Sequence, residues 1–261
     1  MKYLLSAATW DEFLRSGMCQ LELIPLADKY DCAGIEFRPY WRSTIDELPA
    51  IKEFLAEYGL ISTYACGDCL LSHSEDFARK GFQAAEQSLN LAEFLGSTVL
   101  QVNLAAEPFN LGLLQAEWWQ DELRKLISQA EKKGILIAVQ NIPHSWGGDP
   151  TFMLELVSFF NSAWFKAAFD SGNWLAAGWD PGLALDILER YIGYVHLKDM
   201  LVSQGGYSSC LPGMGIIDIL GLIGRLNRSG YQGYCALELP GGKSPAASVK
   251  VGLQFLRQEI G

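Results

Sequence analysis

The chain has 261 residues, 49% apolar and 19% charged, which excludes a disordered or low-complexity polypeptide. Thirty Asp and Glu against twenty Lys and Arg give a net charge of −10, which argues against a protein that grips nucleic-acid phosphates by charge. No run of about 18 apolar residues offers a membrane span, and six scattered Cys set out no disulfide framework. The short apolar start, Met1 to Ala8, meets Asp11 and Glu12 at once, so export is not expected and a reduced, cytoplasmic setting is.

In chain order, near-continuous apolar runs predict strands at Tyr3–Ala8, Ala33–Phe37, Leu60–Cys66, Thr98–Asn103, Ile135–Gln140, Phe165–Asp170, Ile192–Leu197 and Tyr234–Leu239. Strands buried on both faces require such runs. Between them lie helical patterns. Ser74–Phe94 reads as one long helix. Trp119, Leu123, Leu126, Ile127 and Ala130 recur at spacings of three and four, as do Ile216, Ile219, Leu220, Ile223 and Leu226, and Val249, Leu253 and Leu256. Gly59, Gly96, Gly134 and Gly230 stand where such helices would stop in a left-handed residue.

Eight strands alternating with helices, at about 33 residues per unit, predict an α/β fold: a closed (β/α)8 TIM barrel in a single domain over residues 1–261. An open doubly wound sheet is the alternative. It usually carries a glycine-rich dinucleotide turn after its first strand, and no G-x-G-x-x-G stands there.

Barrel chemistry gathers at the carboxyl ends of the strands. Strand two ends Gly34-Ile35-Glu36-Phe37-Arg38, strand four in Asn103, and strand five in Gln140-Asn141. Strand six ends Asp170-Ser171-Gly172-Asn173, strand seven carries His196-Leu197-Lys198-Asp199, and strand eight carries Glu238. Singly, each has an ordinary structural explanation. Glu36 can pair with Arg38, Asp170 can cap a turn, and His196 can be a hydrogen-bonded core histidine. Together, Gln140, Asp170, His196 and Glu238 end four neighbouring strands around one mouth. A mixed amide, carboxylate and imidazole set suits one divalent ion: Mn2+, Mg2+, Co2+ or Zn2+. A polar pocket without an ion is the alternative.

These segments, with Gly134-Ile135-Leu136-Ile137-Ala138-Val139-Gln140-Asn141, Gly213-Met214-Gly215 and Glu238-Leu239-Pro240, resemble the sugar isomerase/epimerase family with a xylose-isomerase-like TIM barrel. The likeness covers almost the whole length, and Val195-His196-Leu197-Lys198-Asp199 is its most specific run. It implies a divalent metal held by the ends of strands five to eight, with Asp170, His196 and Glu238 matching family ligands. Gln140 stands where the family usually carries Glu, and Asn173 where many members have a substrate-touching His. The family reaction moves a proton beside a carbonyl while the metal polarises the substrate oxygens. An amide is no base near neutral pH, and its presence lowers the ligand charge from three negative units to two. The two-base epimerase design is therefore not expected. One-base aldose–ketose isomerisation of a small sugar, polyol or hydroxy-carbonyl compound is, with Glu238 as catalytic base. Dehydration on the same barrel, or a non-catalytic sugar-binding homologue, is the alternative.

Glu36, Asn103, His144, Asn173, Lys198 and Asp199 are the expected substrate contacts, with Arg38 a second anion contact. His144 either replaces the missing acid/base or is a solvated loop residue, and Lys198 and Asp199 either meet substrate or form an ordinary ion pair. A repair nuclease on this barrel needs several His ligands and a basic surface, which three His and a charge of −10 do not supply. The expected partner is a carbohydrate-like small molecule, with no nucleic acid and no membrane, and a homo-oligomer would pair through exposed helix faces. Cys66-Gly67-Asp68-Cys69 is a single C-x-x-C, short of the four thiolates of a zinc site. Pro212-Gly213-Met214-Gly215 either presents backbone amides to a substrate anion or simply turns the chain. Gly241-Gly242-Lys243-Ser244 lacks the upstream glycine of a P-loop.

Overall fold

The computed structural model describes residues 1–105, 110–143 and 148–258. In chain order the elements are β1 (Lys2–Ser6), α1 (Asp11–Arg15), α2 (Ile24–Lys29), β2 (Gly34–Phe37), α3 (Thr44–Tyr58), β3 (Ile61–Leu71), α4 (Glu75–Leu95), β4 (Val99–Ala105), α5 (Glu117–Lys133), β5 (Leu136–Gln140) and α6 (Pro150–Phe160). They continue with β6 (Phe165–Asp170), α7 (Ser171–Ala176), α8 (Pro181–Leu188), β7 (Ile192–Leu197), β8 (Asp199–Ser203), β9 (Gly206–Cys210), α9 (Ile219–Arg228), β10 (Tyr234–Leu237) and α10 (Pro245–Gln258). Eight strands close into a parallel barrel in the order β1-β10-β7-β6-β5-β4-β3-β2, with helices between successive strands. This is the expected (β/α)8 architecture.

The large apolar core lies between the barrel and its helices, built from residues such as Ile35, Phe37, Trp119, Val139, Phe169 and Leu222. A second buried cluster of Leu4, Val99, Ala138, Ala168, Tyr194 and Ala236 fills the barrel itself. Side chains alternate along a strand, so the residues two places on from five of these also face inward. They are Ser6, Gln140, Asp170, His196 and Glu238. The cluster beneath these residues is apolar apart from the Tyr194 hydroxyl, so the polar groups gather toward the carboxyl mouth. Three alanines in the lower layer leave room for the Tyr194 ring, which meets the His196 ring edge-on at 5.2 Å between centroids.

The helix stops follow the reading of the sequence: Gly59, Gly96 and Gly134 hold φ of 66°, 69° and 67°, a conformation costly for residues with a Cβ. Two features differ from it. β3 runs on to Leu71, with a register shift between Ala65 and Cys69 that places the C-x-x-C on an irregular strand. The segment after β7 is no simple loop. It forms the antiparallel hairpin β8–β9, turning at Gln204-Gly205. No described helix is long and apolar enough to cross a membrane.

Candidate active site

The polar layer is one connected cluster. His196, fully buried on β7, turns Nε2 to Glu36 Oε2 at 2.5 Å. A carboxylate only accepts, so Nε2 carries a proton and Nδ1 is turned the other way. Nδ1 has no hydrogen-bond partner and lies 3.6 Å from Glu238 Oε1 and 3.8 Å from Asp170 Oδ2. Asp170 is the register neighbour of His196, and Ala236, two places before Glu238, pairs with His196 from the other side. Gln140 donates from Nε2 to Asp170 Oδ2 at 3.1 Å, and its buried Oε1 has no partner. The four expected ligand residues therefore meet around the imidazole.

Two cations close the cluster. Lys198 Nζ lies 2.5 Å from Glu238 Oε2 and 3.3 Å from Asp170 Oδ2. Arg38 bonds Glu238 Oε1 and, at 3.2 Å, Glu36 Oε1. These contacts set the ionisation. Burial alone would raise the Glu238 carboxyl, but Arg38, Lys198 and His196 outweigh it and hold it well below the usual carboxylate range. Burial likewise opposes the charge on Lys198, yet Asp170 and Glu238 raise its pKa. His196 is pushed down by burial and, more strongly, up by Glu36 and Glu238.

The donor set fits a divalent ion. His196 Nδ1 and Gln140 Oε1 are buried without partners, and Asp170 and Glu238 each bring an oxygen to within 4 Å of that nitrogen. Imidazole, carboxylate and amide oxygen suit zinc or manganese. Glu36, His196 and Glu238 also offer ligand atoms within 4.8 Å of one another. Glu36, however, already accepts from Ser6 Oγ at 2.7 Å, Tyr194 OH at 2.9 Å, His196 and Arg38. Such a carboxylate is suited to orienting the imidazole.

Two expected substrate contacts are corrected. Glu36 is fully buried behind His196, with both oxygens occupied. Asp199 is fully buried too. It accepts from the backbone N–H groups of Met200, Gly213, Gly215 and Ile217 at 2.8–3.2 Å, tying the hairpin to the 212–217 loop. Those amides are spent on Asp199, so at Gly213 and Gly215 the loop serves this carboxylate and not a substrate anion. Asn103 is half-buried at the mouth, bonded to Gln101 and to the Gly67 carbonyl. Asn173 donates from its side chain to Asn141 O at 3.0 Å and so braces the end of β5. His144 lies outside the described residues.

Ser6 and Tyr194, which no strand-end motif marks, also join the cluster through their hydroxyls on Glu36. Tyr194 was legible, since it stands two places before His196 on the same inward face. The C-x-x-C carries no reactive thiolate, because burial pushes Cys66 up to about 12 and Cys69 up to about 11. The Gly241-Gly242 loop faces Asp11 and Glu12, a poor setting for phosphate.

A family model described as xylose isomerase-like TIM barrel matches residues 24–259. A 3-dehydroshikimate dehydratase of Pseudomonas aeruginosa is 26% identical over 171 residues, 61% of this chain and 26% of that protein. The chain thus spans about a quarter of the length of the curated relatives it matches. Among solved structures, an L-ribulose 3-epimerase superposes with a TM-score of 0.82 at 17% identity, covering 99% of this chain and 94% of the other. The IOLI protein, solved with a bound zinc atom, gives 0.76 at 18% identity over 100% and 98% of the two chains. At these identities the superpositions speak to the fold.

Proposed function

The chain belongs to the xylose isomerase-like TIM barrel family, and from that premise we propose that it is a divalent-metal-dependent isomerase of small hydroxy-carbonyl compounds that moves a proton beside a carbonyl with one carboxylate base, Glu238. The observation that carries the reading is the unpartnered His196 Nδ1, facing Asp170 and Glu238 beside the free Gln140 Oε1. Gln140, Asp170, His196 and Glu238 are the residues that would hold the ion. When bound, it polarises the substrate oxygens and stabilises the negative charge that develops on them. Glu36 fixes the imidazole. Glu238, held ionised at neutral pH, accepts the proton from the carbon. Lys198, one hydrogen bond from Glu238, would hold or return a proton at a substrate oxygen. Gln140 has no acid/base chemistry, so exchange on the opposite face of the carbon has no carboxylate there.

Dehydration is the second reading. It is favoured by the 3-dehydroshikimate dehydratase relatives and by an ammonium group beside the base, placed to protonate a departing hydroxide. Six free cysteines suit a reducing, cytoplasmic setting for either enzyme. Incubation in D2O with Mn2+ and a panel of ketoses and hydroxy-ketoacids separates them. Deuterium at the carbon beside the carbonyl, with appearance of the isomer, is the expected result. Loss of one water by mass marks the dehydratase. No exchange and no water loss across the panel overturns both.

A further inference from the structure

The charged groups of the buried cluster can be counted. Glu36, Asp170 and Glu238 bring three negative charges, and Arg38 and Lys198 bring two positive ones, all within one ion-paired network. Asp199, next in the chain, spends its carboxylate on four backbone N–H groups outside this network. The side chains of Arg38 and Lys198 are 22% and 20% exposed, and Glu36, Asp170 and Glu238 10% or less, so solvent screens the group little. The network alone carries one net negative charge, and a dication with neutral His196 turns that into one positive charge. An unbalanced charge in such surroundings is unfavourable and draws in a counter-charge. A glutamate at 140 would leave the loaded centre neutral. Gln140 removes that one unit while keeping an oxygen ligand.

We propose that Gln140 is a specificity-determining residue: by leaving the loaded centre one unit positive, it selects a substrate that carries a single negative charge, such as a hydroxy-ketoacid, over a neutral sugar. The inference rests on the metal-loaded reading above and adds to it the class of substrate. Gln140 also serves the centre before loading, since its Nε2 donates to Asp170, where a glutamate would set two carboxylates side by side.

Calorimetry on the full chain compares D-gluconate with D-glucitol, two probes with like hydroxyls that differ by a terminal carboxylate. With Mn2+ saturating, the wild type binds gluconate about tenfold or more tightly than glucitol. In Gln140→Glu at equal Mn2+ occupancy that ratio falls by about tenfold. The wild type without Mn2+, one unit negative by the same count, binds gluconate no more tightly than glucitol, which tests the charge count without any variant. Equal binding of the two probes by the loaded wild type, a ratio untouched by Gln140→Glu, or a preference that survives without Mn2+ overturns the proposal and leaves the functional reading standing. Binding of neither probe to the loaded wild type overturns that reading, and the proposal with it.

Discussion

Gln140 and a glutamate at the same place differ by one charge and by which atoms can donate. The amide N–H holds Asp170 at 3.1 Å, and a carboxylate there would repel it. Gln140→Glu is therefore expected to lower the melting temperature of the metal-free protein and to tighten Mn2+ binding about tenfold or more, as read by calorimetry and thermal melts with and without the ion. Glu36 offers a second test. Burial raises its carboxyl, but His196 and Arg38 win and bring it from 4.5 down to about 2. A depressed acid stabilises the fold above its unfolded pKa and loses that stabilisation as pH falls through the folded value. The metal-free wild type should thus lose stability between about pH 4.5 and 2, and Glu36→Gln should flatten that limb. Flat behaviour in both proteins would remove Glu36 from its place as the charged partner of His196. At this scale the sequence was readable where a polar residue ends an apolar run, as at Asp170, His196 and Glu238. It was silent on which neighbour each polar atom meets. Glu36 looked like a group reaching substrate because strand-end position says nothing of the Ser6 and Tyr194 hydroxyls and the imidazole that enclose it.

Among the elements, the β8–β9 hairpin is the piece least visible beforehand, although Gln204-Gly205-Gly206 between Leu201-Val202 and Tyr207 is a turn signal. Its anchor is one side chain. Asp199 gathers four N–H groups, and a Cβ at Gly215 would stand 2.2 Å from its Oδ1, so the 212–217 loop can lie this close only with glycine there. Asp199→Ala leaves those donors without their acceptor and is expected to cost about 3 kcal/mol. Hydrogen exchange should rise at Met200, Gly213, Gly215 and Ile217 while β6 amides stay protected. Unchanged protection at those four positions would show that the loop is held otherwise. The eight barrel strands were readable to within a few residues, apart from the longer β3, because strands covered on both faces must be apolar throughout. The hairpin, exposed over much of its length, has no such constraint.

The whole barrel is layered. Leu4, Ala138, Ala168, Tyr194 and Ala236 make an apolar floor, and the polar layer rests on it. Tyr194 joins the two, bonding Thr63 at 2.8 Å and Glu36 at 2.9 Å. Small residues on three strands accept one large ring from a fourth. Ala168→Leu overfills that floor, and such overpacking costs about 1–3 kcal/mol. It should also disturb Asp170 directly above, so Mn2+ affinity falls together with the melting temperature. A variant that melts lower yet binds Mn2+ as the wild type does would show that floor and site are independent. Alternation of strand and helix made the architecture legible, and the two-residue period made the layer legible once the inward face was known. The inward face itself exists only once the barrel closes, and β1 closes it on β10 from near the other end of the chain.

The most direct test of the account is anomalous diffraction from crystals of the full chain soaked in Mn2+. The expected result is one strong peak at the carboxyl mouth, at bonding distance from His196 Nδ1, Asp170, Glu238 and Gln140 Oε1, with Lys198 moved aside. A peak only at surface carboxylates, with Nδ1 unbound and Lys198 still bridging Asp170 and Glu238, would contradict it.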